Sequence, residues 1–129
     1  MTSEKRRKGD EGEEVAFLYL KKNGYTILER NYKTKYGELD LIATLRQARG
    51  KKVVVFVEVK SQGQGVEELY PELHVDRRKQ RHLIRASQAY LLNKKCPDDT
   101  DWQIDVIGVT WDPITQKPNV RHTQNAVFQ

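Results

Sequence analysis

Two segments of the chain carry charged groups where apolar ones would be expected. VVVFVEVK (residues 53–60) ends in Glu58 and Lys60, and GELDLIA (residues 37–43) holds Asp40 among Leu39, Leu41 and Ile42. Residues two apart on a strand share a face, so Glu58 and Lys60 continue the row begun by Val54 and Phe56. An apolar row that turns charged at its end suits a site at the lip of a covered sheet. Alone, Glu-x-Lys is a weak motif, since surface ion pairs at strand ends are common. Asp40 strengthens it: a carboxylate in an apolar strand needs a cation, a hydrogen bond or an edge position to offset its desolvation. If the two strands pair as a hairpin, Asp40 and Glu58 converge on a single divalent ion. Two carboxylates with open coordination positions suit Mg2+, with Mn2+ as its substitute, because such an ion keeps waters and accepts phosphate oxygens. Lys60 could then orient or activate an attacking water, or neutralise charge on the phosphate. Glu38 shares Asp40's face and competes for its role, and Glu13 could add a third carboxylate from a helix packed across the sheet.

The elements that must position these groups follow from periodicity and punctuation. Residues 1–10 read as a flexible basic arm and 11–129 as a single domain, in keeping with a chain of 129 residues. Val15 and Leu18, with Phe17 and Leu20 beside them, fall at helical spacing from about Glu11 to Asn23, and Gly24 supplies a stop. Strands are expected at Tyr25–Asn31, at about Glu38–Leu45, and at Val53–Lys60. The last is apolar on both faces at its start, which demands a central place in a sheet covered on both sides. A long polar connection, Ser61–His74, precedes a helix capped by Asp76 and running from Arg77 to about Lys95, with Leu83, Ala86 and Tyr90 as one apolar stripe and Pro97 beyond its end. Trp102–Trp111 is a further strand, and Asn119–Phe128 is a candidate edge strand. The order α-β-β-β-α-β-(β) implies an α/β fold, a mixed central sheet flanked by helices.

Charge narrows the class of partner. Lysine and arginine number 23 against 18 acids, a net charge of +5. Between Arg77 and Lys95 stand seven basic residues and no acidic one. A basic helix with Arg77, Arg78, Lys79, Arg81 and Arg85 near its start points to a polyanion, nucleic acid first, although a solvated helix face explains the charge equally well. No apolar stretch spans a bilayer and the charged N-terminus lacks a secretory signal, so a cytoplasmic protein without membrane contact is expected. One cysteine, Cys96, and three scattered histidines exclude an internal disulfide and a Cys/His zinc site.

In order and spacing, GEEVAFLYLKKNGYTILERN, GELDLIA, VFVEVKS and IDVI resemble the small bacterial YraN-type proteins. That family resembles restriction-endonuclease-like nucleases and, in plan, archaeal Holliday-junction resolvases. The resemblance runs from Gly9 to Phe128. It implies a restriction-endonuclease-like fold, with Asp40, Glu58 and Lys60 on the Asp…Glu-x-Lys metal and catalytic positions and Glu13 on the helical carboxylate. It further implies a Mg2+-dependent endonuclease acting on DNA phosphodiesters in branched or structured DNA. The resolvase analogy suggests a homodimer, since two symmetrical cuts call for two sites.

Two rivals share these features. A non-catalytic nucleic-acid-binding module on the same fold would keep the basic helix and make no use of a metal. A protein-interaction subunit would turn the basic stripe to an acidic partner. Asp105, another acid among apolar residues, reads more readily as a partner for a backbone or basic group than as a site residue. His74 and His82 read as surface residues, and Cys96 lacks an adjacent base. Tyr19, Tyr25, Tyr32, Trp102 and Trp111 suit core packing better than base stacking.

Overall fold

Val53, Val55 and Val57 pack into one buried cluster, and Val54 and Phe56 into another. Their strand is therefore covered on both faces, as its composition requires. The computed structural model describes residues 3–61 and 76–127, with side chains from residue 10 onward; the connection after Ser61, with His74, and Phe128 lie outside the described residues. Five strands, β1 (Thr26–Thr34), β2 (Gly37–Arg46), β3 (Lys52–Ser61), β4 (Trp102–Trp111) and β5 (Pro118–Val127), form one sheet in chain order. β3 and β4 run parallel and the other neighbours antiparallel. The parallel pair needs a crossover, which contains the helix α2 (Arg77–Asn93).

The sheet lies between two helices. Ala16 and Leu20 of α1 (Ser3–Lys22) cover Leu41, Val55 and Ile107 on one face. Leu83, Ala86 and Tyr90 of α2 cover Leu39, Phe56 and Ile104 on the other. The expected element order and mixed sheet are both present, including the last strand. Tyr32 and Trp102 are core aromatics, edge-on to Tyr90 at 5.1 Å and to Phe56 at 5.8 Å. Among the described residues no helix is long and apolar enough to cross a membrane.

The element ends show where local signals held. Gly24 (φ +89°) closes α1 through paired bonds, Tyr25 N–H to the Leu20 carbonyl at 3.0 Å and Gly24 N–H to Lys21 at 3.2 Å. Tyr25 and Leu20 belong to the same cluster, the apolar contact that accompanies this helix ending. Asp76 caps α2 by accepting a 2.8 Å bond from the Lys79 N–H. Two boundaries differ from expectation. α1 starts at Ser3 rather than near Glu11, because the charged segment read as an arm is rich in Glu, Lys and Arg, good helix formers without a proline among them. α2 ends at Asn93, where Lys94 N–H bonds back to Tyr90 and Lys95 turns left-handed (φ 54°), so the helix stops ahead of Pro97.

Candidate functional site

Strict alternation along β2 fails at Asp40. Leu39 belongs to the α2-side cluster and Leu41 to the α1-side cluster, although residues two apart should share a face. Pairing between β2 and β3 begins only at Leu41 and Val57. Beyond that point the Asp40 carboxylate fills the fork, its Oδ2 accepting the Val59 N–H at 2.7 Å. A side chain thus replaces a ladder carbonyl, which is how a carboxylate is tolerated in an apolar strand. Burial raises the Asp40 carboxyl above its ordinary range; the Val59 N–H and the Lys79 and Lys60 ammoniums oppose the rise.

Glu58 stands next to this fork, only 6% exposed. Its Oε2 is buried without a hydrogen bond, and the Lys79 ammonium lies 3.5 Å away. Burial first, and the Asp40 charge second, push the Glu58 carboxyl up to about 7, against the pull of Lys79 and Lys60. Alternation along β3 puts Lys60 on the same side as Glu58, half-buried. Lys79 was expected only as one of a basic cluster, but it falls four residues before Leu83 and so on the stripe that faces the sheet.

The third carboxylate comes from α1. Glu13 is half-buried, and burial, then the charge of Asp40, raise its carboxyl to about 7. Asp40 outranks Asp10 and Glu38 among the charges acting on it, with Arg30 opposing them. Gly12 makes this approach tight. A Cβ added there would stand 2.5 Å from both Cβ and Oγ of Ser61, at the end of β3. Gly12 lies in the middle of α1, where glycine is otherwise unfavourable by roughly 1 kcal/mol; a helix expected to start near Glu11 put it at the helix end and hid this role. Gly12→Ala is therefore expected to lower stability by about 1–3 kcal/mol through overpacking, despite alanine's better helix propensity. Urea unfolding of the two proteins checks this; a variant as stable as the parent would mean that α1 is not held against β3.

The donors around the fork suit a hard cation. All are carboxylate oxygens, one is buried and unbonded, and burial has raised all three carboxyl groups, a rise that a bound cation opposes. Among the described residues no three His, Cys, Asp or Glu side chains form a ready-made metal cage. The arrangement thus fits an ion such as Mg2+, which takes one or two carboxylates and keeps waters. Glu38 is exposed at the start of β2, and Arg77, Arg78, Arg81 and Arg85 are exposed on α2.

Asp105 belongs elsewhere. It is wholly buried and turns to the α1 face, between Ile104 and Val106 of the opposite cluster. Its Oδ1 accepts from Gln103 Nε2 and from the Asn125 N–H, each at 2.8 Å, and its Oδ2 meets His122 Nε2 at 2.7 Å. His122 Nδ1 lies 3.1 Å from the Tyr19 hydroxyl. This network holds β5 at a register shift beside β4.

Comparison with known proteins agrees with the resemblance to YraN-type proteins. Residues 12–109 match the model of the family described as "Uncharacterised protein family UPF0102". A UPF0102 protein of Alkaliphilus oremlandii is 41% identical over 117 residues, covering 89% of this chain and 92% of its own. One from Persephonella marina is 37% identical over 119 residues, covering 92% of this chain and 91% of its own. A third, from Thermotoga maritima, is 41% identical over 100 residues, covering 78% and 83%. With Glu13, Asp40, Glu58 and Lys60 all inside the matched span, the chain belongs to the UPF0102, or YraN-type, family.

Proposed function

We propose that this chain is a cytoplasmic, divalent-metal-dependent nuclease that hydrolyses DNA phosphodiester bonds in branched or otherwise structured DNA, acting as a homodimer where two strands are cut symmetrically. The observation that carries this reading is Glu58, a buried carboxylate whose Oε2 has no hydrogen bond and only the Lys79 ammonium at 3.5 Å, set beside Asp40 where β2 and β3 part. The element order supports it too, since it agrees with the restriction-endonuclease-like plan.

Asp40 and Glu58 would hold Mg2+ or Mn2+, with Glu13 assisting from α1. A bound ion of this kind supplies Lewis-acid charge neutralisation and a more acidic water. Lys60, which makes no ion pair among the described residues, holds the attacking water or faces a phosphate oxygen. Arg77, Arg78, Arg81 and Arg85 add backbone phosphate contacts whose strength falls with salt. Lys79 differs from them, because it is already engaged with Glu58.

Purified protein is expected to nick or cut plasmid or four-way-junction DNA with Mg2+ or Mn2+ and to stop in EDTA. Calorimetry should show Mn2+ binding that Asp40→Ala removes. Absence of both cleavage and Asp40-dependent Mn2+ binding would leave a non-catalytic nucleic-acid-binding module on the same fold.

A further inference from the structure

Between the β1–β2 hairpin and α2 runs an open trough of about 760 Å3. Lys35 and Tyr36 of the hairpin and Arg85, Gln88 and Leu92 of the helix line it, with Lys33 at the rim and no carboxylate among the lining residues. Lys35 and Arg85 make no ion pair among the described residues. The Lys35 ammonium lies 5.2 Å from the centre of the Tyr36 ring, within cation–π range. Leu92 is 80% exposed, an apolar surface with nothing on it.

Tyr36 also lines a separate narrow cleft of about 40 Å3, together with Glu38, Lys79 and His82. Lys79 is the residue whose ammonium stands 3.5 Å from Glu58. Tyr36 thus stands between the cations of the trough and Lys79, the neighbour of Glu58. Arg78, His82 and Arg85 follow one another at helical spacing, so this flank of α2 is basic over its first half and gives way to Gln88, Ala89 and Leu92 beyond it.

Cations interleaved with an aromatic and an apolar side chain in a concave track suit an extended polyanion that carries flat apolar groups, which is an unpaired nucleic acid strand. A duplex is stiff over many base pairs and does not fold into so small a trough. We propose that this trough binds one unpaired strand, with its phosphates against Lys35 and Arg85 and a base on Tyr36, and leads that strand toward Asp40 and Glu58. Its destination rests on the nuclease reading; the binding does not.

The test is fluorescence anisotropy in EDTA, with a labelled oligothymidylate and a blunt duplex of equal length. Wild-type protein binds the single strand, and Lys35→Gln/Arg85→Gln weakens that binding ~10-fold or more at low salt. The same pair flattens the log–log salt slope by about 1.4, two phosphate contacts at ~0.7 each. Tyr36→Ala loses roughly 5-fold or more, while Tyr36→Phe keeps the affinity because it keeps the ring. Duplex binding falls less than single-strand binding in the double variant, because Arg77, Arg78 and Arg81 keep their phosphate contacts, and Tyr36→Ala leaves it unchanged. Unchanged single-strand binding in the double variant, or an equal loss on duplex, overturns the proposal. No binding of the oligothymidylate by the wild type overturns it as well and turns attention to an acidic peptide. Protein that binds the strand through the trough and cuts nothing would retain this inference and remove the nuclease. Undiminished cutting of single-stranded flaps by the double variant would do the reverse.

Discussion

Glu58→Gln is expected to move two measurements in opposite directions. Metal-dependent cleavage falls by about 10^3-fold or more, because a neutral amide is a poor ligand and leaves the ion without its buried anionic anchor. In EDTA at pH 8, by contrast, the variant is more stable than the parent. The Glu58 carboxyl is pushed up to about 7 from an ordinary 4.5, by burial and by Asp40. Below pH 4.5 it is protonated in both folded and unfolded chains and has no effect. As pH rises, the unfolded chain releases the proton first, so stability is lost progressively and the full penalty is present above about pH 7. That penalty is on the order of 1–3 kcal/mol, part of it shared with Asp40, and glutamine removes it. Thermal unfolding in EDTA between pH 4 and 8 should therefore show the parent's midpoint dropping relative to the variant's. Added Mn2+ should raise the parent's midpoint at pH 8 and leave the variant's in place, since only a ligand bound by the folded state stabilises it. A variant that cuts at the parent's rate, or is less stable at pH 8 in EDTA, would show that Glu58 is not a strained anionic ligand.

The same two carboxylates show how far local sequence reaches. The pattern around β3 is decisive because a strand apolar on both faces has one place to go, and the hairpin with β2 follows from the polar loop between them. Asp40 and Asp105 look alike in sequence, each an acid among apolar neighbours. That signal says a partner must exist without saying which. For Asp40 the partner is the Val59 N–H across a fork. For Asp105 it is a closed set of donors on the far face. Only pairing register separates an acid at a fork from an acid inside a ladder, and register depends on strands far apart in the chain.

Lys79 and Gly12 are intermediate cases. Helical phase already relates Lys79 to Leu83, so its inward direction was available from spacing, but a cluster of like charges hides one member with a different neighbour. Gly12 becomes an anomaly only once α1 is seen to start at Ser3, and its meaning needs Ser61, a residue on another element. The trough was not legible, because it exists only once the β1–β2 hairpin stands beside α2. Composition misled at the N-terminus, where a high charge density reads as a loose arm although the residues are good helix formers.

His122→Ala is expected to be among the most destabilising single changes in the chain. His122 Nε2 meets Asp105 Oδ2 at 2.7 Å, and a carboxylate only accepts, so that nitrogen carries the proton. The other nitrogen then accepts from the Tyr19 hydroxyl at 3.1 Å, which links α1 to β5. Removing the ring leaves Oδ2 of a wholly buried carboxylate without its partner, and leaves the Tyr19 hydroxyl without its acceptor. Deleting the donor to a buried carboxylate costs about 3 kcal/mol or more, because the charge stays desolvated with one oxygen unpaired. Asp105→Asn is the control. Its carbonyl oxygen keeps the bonds from Gln103 and the Asn125 N–H, and its amide donates to Nε2 once the ring takes the other tautomer, with Nδ1–H turned to the Tyr19 hydroxyl, so a loss of about 1 kcal/mol is expected. Combining His122→Ala with Asp105→Asn should be milder than the sum of the two, since the asparagine leaves no buried charge behind. Denaturant unfolding of the three variants measures all of this. If His122→Ala lies within about 1 kcal/mol of the parent, the carboxylate is not held by the ring, and Asp105 returns as a candidate for chemistry rather than architecture.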